Sequence, residues 1–128
     1  MKPIFLVLPL PLNKANTSMH WAVLRKKRAL YFDVADLLCA KAMRQRKKYP
    51  PSELTMLTAT FYLWAKMDQD NLMARLKWPV DWLIHAGFIA DDSPSHLLHM
   101  GIPTQKIDRK YQRLELVLTQ ANTQLISE

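Results

Sequence analysis

The stretch MDQDNLMARLK, residues 67–77, sets Asp68 and Asp70 two apart where an apolar run gives way to a helical pattern. A second acidic pair, Asp91 and Asp92, follows in GFIADDSP. Residues i and i+2 of a strand project from one side, so a strand running through Asp68 and Asp70 would present both carboxylates to one ion. The structural alternative is that Asp70 or Asn71 caps the following helix and that Asp91 and Asp92 form a solvated turn, the ordinary uses of short polar side chains. Chain geometry links the two pairs. A helix from Asp70 to Ala86 advances about 24 Å, Gly87 can reverse the chain, and about five extended residues return about 17 Å to Asp92. Carboxylates held together repel one another, and the chain carries 18 Lys and Arg against 11 Asp and Glu. A divalent cation is the economical reason to gather them. Oxygen-only ligands favour magnesium or manganese over zinc.

A calcium loop does not fit. Counted from Asp68, the sixth position is Met73 and the twelfth Pro79, where that loop needs Gly and Glu. Lys77, seven residues beyond Asp70, falls two turns along the same helix face, where an ammonium group beside carboxylates would stabilise charge on a phosphate; the plain alternative is a solvated surface Lys. His96 and His99 have no Cys or third His near them and would face opposite ways on a strand, so a metal role is not expected. Trp78 and Trp82, at helical spacing, read as core or dimer contacts.

The elements that must position these groups follow from periodicity. IFLVL, residues 4–8, is a short apolar run closed by Pro9 and Pro11, as befits an edge strand. From Trp21 to Lys48 the chain lacks Gly and Pro, and Leu30, Val34, Leu37 and Leu38 recur at helical spacing, which predicts one long helix stopped by Tyr49, Pro50 and Pro51. It carries RKKR (Arg25, Lys26, Lys27, Arg28) and RQRKK (Arg44, Arg46, Lys47, Lys48), a solvated face or a set of phosphate contacts. LTMLTATFYLW, residues 54–64, reads as a central strand leading into the acidic motif. Residues 70–86 form a helix that Pro79 should kink or divide. HLLHMGIPT and YQRLELVLT are two further extended segments. The expected fold is α+β, a single small domain with a mixed sheet and two packed helices in the order β-α-β-α-β-β.

At 128 residues the chain can bury one core, and its 23% charged content argues for a globule. The net charge of +7 favours polyanions, nucleic acid first and an anionic membrane second, with simple solubility as the bland reading. Cys39 is the only cysteine, so neither a disulfide framework nor a thiolate zinc site is expected, and the composition suits the cytoplasm. The start resembles a signal sequence, but prolines interrupt it and no small-residue cleavage pattern follows. No apolar run approaches the roughly 20 residues of a membrane span.

The combination DQDN, then Lys77 on the next helix, then GFIADD resembles the RusA family of Holliday junction resolvases. LPLPLNKANTSMHW and RLELVL extend the likeness over most of the chain. The resemblance implies a metal-dependent endodeoxyribonuclease that resolves four-way DNA junctions by paired nicks. It carries the catalytic and metal-binding aspartates onto Asp68, Asp70 and Asp92, with Asp91 as a neighbour, and Mg²⁺ as cofactor with Mn²⁺ as substitute. Where the family has its lysine, this chain has Ala74. Lys77 and Asp81 keep the family's mutual spacing, which assigns the role to Lys77, with Arg75 as the fallback. The family's DNA-facing loop corresponds to Asn16 and His20. Branched DNA and a homodimer are the implied partners. A non-catalytic DNA-binding protein of the same fold and a metal-dependent ribonuclease are the alternatives.

Overall fold

The computed structural model describes residues 3–12, 20–46 and 54–120. Its elements are β1 (Ile4–Leu8), α1 (Trp21–Leu38), α2 (Ala40–Arg46), β2 (Thr55–Leu63), α3 (Gln69–Ala74), α4 (Lys77–His85), β3 (Leu97–His99), β4 (Thr104–Ile107) and β5 (Arg113–Gln120). This is a mixed α+β fold, as the sequence predicts, with more pieces than expected. Both long helices are divided and one extended segment is split. Asn16, Lys47, Lys48 and the Tyr49–Pro51 helix stop lie outside the described residues.

Five strands form one mixed sheet in the order β1-β5-β2-β3, with β4 also paired to β2. β1 is indeed an edge strand, antiparallel to β5 from Ile4↔Leu118 to Leu8↔Leu114. β2 is central. It runs antiparallel to β5 and parallel to β3 and β4, which share its far side in succession, Thr55–Leu57 and then Thr60–Leu63. HLLHMGIPT therefore does not make one strand. Gly101, between β3 and β4, has φ 80, a conformation an L side chain resists. Pro103 in the same turn has no N–H to give to the ladder.

Alternation places Leu6, Leu8, Leu57, Ala59, Phe61, Leu63, Leu114, Leu116 and Leu118 on one buried face. The helices cover that face. α1 is rotated about one residue from expectation: Leu30, Leu37 and Leu38 are 62%, 78% and 54% exposed, while Tyr31, Ala35 and Cys39 are buried. Polar ties to α4 hold that rotation. Trp82 Nε1 donates to Asp36 at 2.8 Å, and Arg28 reaches Asp81 at 3.3 Å. The helix breaks at Cys39, whose backbone leaves helical values (φ −108, ψ 17) and whose thiol donates to the Val7 carbonyl at 3.5 Å.

The second helix divides at Arg75–Leu76, and Pro79 lies in the first turn of α4, where its missing N–H has no helical partner to lose. Trp78 and Trp82 are core residues, the first against Tyr31 at 6.0 Å between ring centroids and the second fully buried.

Candidate functional site

β2 ends at Leu63, so the strand does not run through the acidic motif. Asp68 is instead the N-cap of α3, and Asp70 stands in its first turn. At about 100° per residue these two positions leave the helix in different directions, and the same-side argument for a strand does not apply. The residue at the N-cap is Asp68, where Asp70 or Asn71 was expected. Its carboxylate makes no capping bond, although it holds the position where such a bond is the usual use of an aspartate. Among the described residues Asp70 accepts only from the adjoining Asn71 N–H, at 3.2 Å. Both side chains are exposed, and among the described residues neither meets a Lys or Arg.

Two devices hold this loop in place. Gln105 of β4 clamps the Met67 backbone with both halves of its amide: Oε1 accepts from Met67 N–H at 3.0 Å, and Nε2 donates to the Met67 carbonyl at 2.9 Å. Arg75, at the end of α3, donates to the Pro11 carbonyl through Nε at 3.1 Å and Nη2 at 2.7 Å, with Nη1 3.3 Å from Met67 Sδ. Burial lowers the pKa of its guanidinium, the direction expected for a cation drawn out of water. Arg75, half-buried, is thus a clasp between the segment after β1 and the acidic loop.

The second acidic pair is used differently. Asp91 Oδ1 accepts from the Ser93 N–H at 2.8 Å and lies 3.1 Å from His96 Nδ1. The Ser93 hydrogen bonds, seconded by His96, hold its carboxyl below the usual aspartate value. Asp91 therefore closes a turn before β3, as the structural alternative had it. Asp92 beside it is exposed and engages no described group. Lys77 opens α4 and pairs with Asp81 at 3.1 Å, an i,i+4 bridge that Arg28 shares from the other side. Because α3 and α4 are separate helices, Lys77 is not on a continuous face with Asp70.

Among the described residues no three His, Cys, Asp or Glu side chains gather in a way that would hold a metal ion. The donor set still suits magnesium in one form. Magnesium is commonly held by one or two carboxylates, with waters and substrate phosphate completing its shell; Asp68 and Asp70 are exposed oxygen donors, and among the described residues Asp70 is engaged by the Asn71 N–H alone. Among the described residues a closed three-carboxylate centre is not formed.

Of the basic residues, Arg25, Lys26, Lys27 and Arg44 are exposed on α1 and α2, with the Arg25 guanidinium 5.7 Å from the Trp21 ring. Arg28 is committed to Asp81 and lies 4.3 Å over Phe32. Arg46 corrects expectation outright: it is 6% exposed and donates to the Phe88 carbonyl at 3.1 Å, so it fastens α2 to the turn after α4. Sequence reasoning overlooked Gln105 and a group of aromatic and basic side chains around Trp64 and Tyr111. The alternation of cations and an aromatic in KIDRKYQR, residues 106–113, was the available signal.

No protein-family model matches the chain, and no curated protein matches its sequence. Among the described residues no helix is long and apolar enough to cross a membrane.

Proposed function

We propose that the protein is a metal-dependent, structure-selective endodeoxyribonuclease acting on four-way DNA junctions, the activity implied by the resemblance of its acidic motifs to the RusA resolvases. One observation carries this reading. In a chain of net charge +7, the carboxylates of Asp68 and Asp70 stand exposed in the first turn after the central strand with no cation beside them among the described residues, and Asp68 holds a cap position without capping. Asp68 and Asp70 would hold the Mg²⁺ or Mn²⁺ ion, with Asp92 as the third carboxylate of the reading. Bound there, the ion supplies Lewis-acid polarisation of the phosphodiester and a more acidic water.

The chain's own residues do the rest. Gln105 at the Met67 backbone and Arg75 at the Pro11 carbonyl tie down the backbone of the acidic loop, so the segment that presents the carboxylates is anchored to the sheet before DNA arrives. Lys77, exposed beside Asp81, is the cation that would offset charge on the phosphate during substitution. Arg25, Lys26, Lys27 and Arg44 offer sequence-independent phosphate contacts. A two-fold junction nicked at two points suits a pair of copies related by a two-fold axis.

A non-catalytic DNA-binding protein is the second reading, favoured by the engagement of Asp91 and by the absence of a third converging ligand among the described residues. A single gel separates the readings, with a synthetic four-way junction, linear duplex and RNA each incubated with and without Mg²⁺. The expected result is Mg²⁺-dependent cutting of the junction alone. Asp70→Asn should abolish it while leaving binding intact or tighter, since a ligand and a negative charge facing phosphate are removed together. Undiminished cutting by that variant would refute the site.

A further inference from the structure

At the Asp68 end of the sheet, three neighbouring strands bring one row of side chains together on the face opposite the core. Tyr62 of β2 stands across from Arg113 of β5 and from Lys106 of β4. The Arg113 guanidinium lies 3.7 Å from the Tyr62 ring centroid and 4.9 Å from that of Tyr111, and Lys106 Nζ lies 5.9 Å from Tyr62. Two residues past Tyr62, Trp64 carries the Arg109 guanidinium at 5.2 Å, and Arg109 Nε also donates to the Trp64 carbonyl at 3.4 Å. Two rings remain open to solvent: Trp64 is 60% exposed and Tyr111 52%.

The charges in this group divide sharply. Arg113 is neutralised by Asp108 and Glu115, each at 2.9 Å, so its task is to brace the two tyrosines. Lys66, Lys106, Arg109 and Lys110 are exposed, and none has an ion pair among the described residues. Exposed indole and phenol rings among uncompensated cations call for a ligand that is anionic along its length and offers flat apolar faces at intervals. Unpaired nucleotides have both, whereas in a duplex the base faces are consumed by stacking.

We infer that this end of the sheet binds single-stranded DNA, with Trp64 and Tyr111 stacking on bases and Lys66, Lys106, Arg109 and Lys110 taking the phosphates. The choice of DNA over RNA rests on the proposed function. The platform itself does not depend on the carboxylates.

Binding is therefore measured without cleavage, by fluorescence anisotropy of a labelled oligothymidylate of about 15 nucleotides in EDTA, with duplex DNA and oligouridylate as competitors. Trp64→Ala should weaken binding about tenfold or more, and Trp64→Tyr should restore most of it. Both are surface changes, and unaltered melting would show that the fold is kept. Replacing Lys66, Lys106 and Lys110 with Ala should flatten the salt dependence by about 0.7 for each phosphate no longer neutralised. Wild-type affinity in Trp64→Ala, or duplex competing as well as single strand, would overturn the platform; preference for oligouridylate would overturn its assignment to DNA. Loss of junction cutting with this binding retained would count against the nuclease reading alone.

Discussion

Tyr31 shows how a single side chain can be held in the core by its ring at the expense of its hydroxyl. The ring packs on Trp78, yet the hydroxyl is buried without a hydrogen-bond partner among the described residues. Burial pushes its pKa upward, and the neighbouring Cys39, itself pushed up to about 11 by desolvation, adds to the effect. An unmade hydrogen bond of this kind costs about 1–3 kcal/mol. Tyr31→Phe should accordingly leave stability unchanged or raise it by about 1 kcal/mol, read as the midpoint of urea unfolding. A clear loss would overturn the view that the hydroxyl is held in the core at a cost. Asp68 is the opposite case: a polar group at a place with an ordinary structural use that it does not take up. Its residue type was legible in the sequence, but its failure to cap was not, because capping depends on the rotamer chosen after the helix has formed.

Between elements, Arg75 is the sharpest case, since sequence reasoning made it a candidate cation and the fold makes it a clasp. Arg75→Ala would leave the Pro11 carbonyl without two donors and should cost about 1–3 kcal/mol, lowering the melting temperature by several degrees. Arg75→Lys keeps the charge but not the planar fork, and should recover only part. An alanine variant that melts like the wild type and still fails to cut DNA would return Arg75 to the chemistry. β1, β2 and β5 were legible because alternation alone fixes which face is buried, as Leu114, Leu116 and Leu118 show, whereas the split of the segment between β2 and β5 into β3 and β4 was not. The rotation of α1 was not. Its leucines outnumber the residues it buries, and the buried stripe of Tyr31, Ala35 and Cys39 is selected by Asp36 and Arg28 reaching α4, partners distant in sequence. The two-part helix after the acidic motif was readable from Pro79, but the position of the break was not, because the first turn of a new helix accepts proline without loss.

For the molecule as a whole, the surplus of +7 matters through where it lies. Some cations are spent inside the fold, Arg46 on the Phe88 carbonyl and Arg75 on Pro11, so a count of basic residues overstates the charge free to meet a polyanion. Arg113 is likewise cancelled by Asp108 and Glu115. What remains outward on α1 is Arg25, Lys26 and Lys27, without ion pairs among the described residues, while Arg28 beside them holds Asp81. If the helix lies along a duplex arm, changing those three to Ala should weaken binding to every junction sequence about equally. It should also reduce the slope of log affinity against log salt by about 0.9 for each phosphate left without its cation. Arg46→Ala cannot serve in that test, because it would undo the tie between α2 and the turn after α4 before any effect on phosphate binding could be read. Duplex and junction titrations of the triple variant across a salt series decide the matter: an unchanged slope would make α1 an ordinary solvated face.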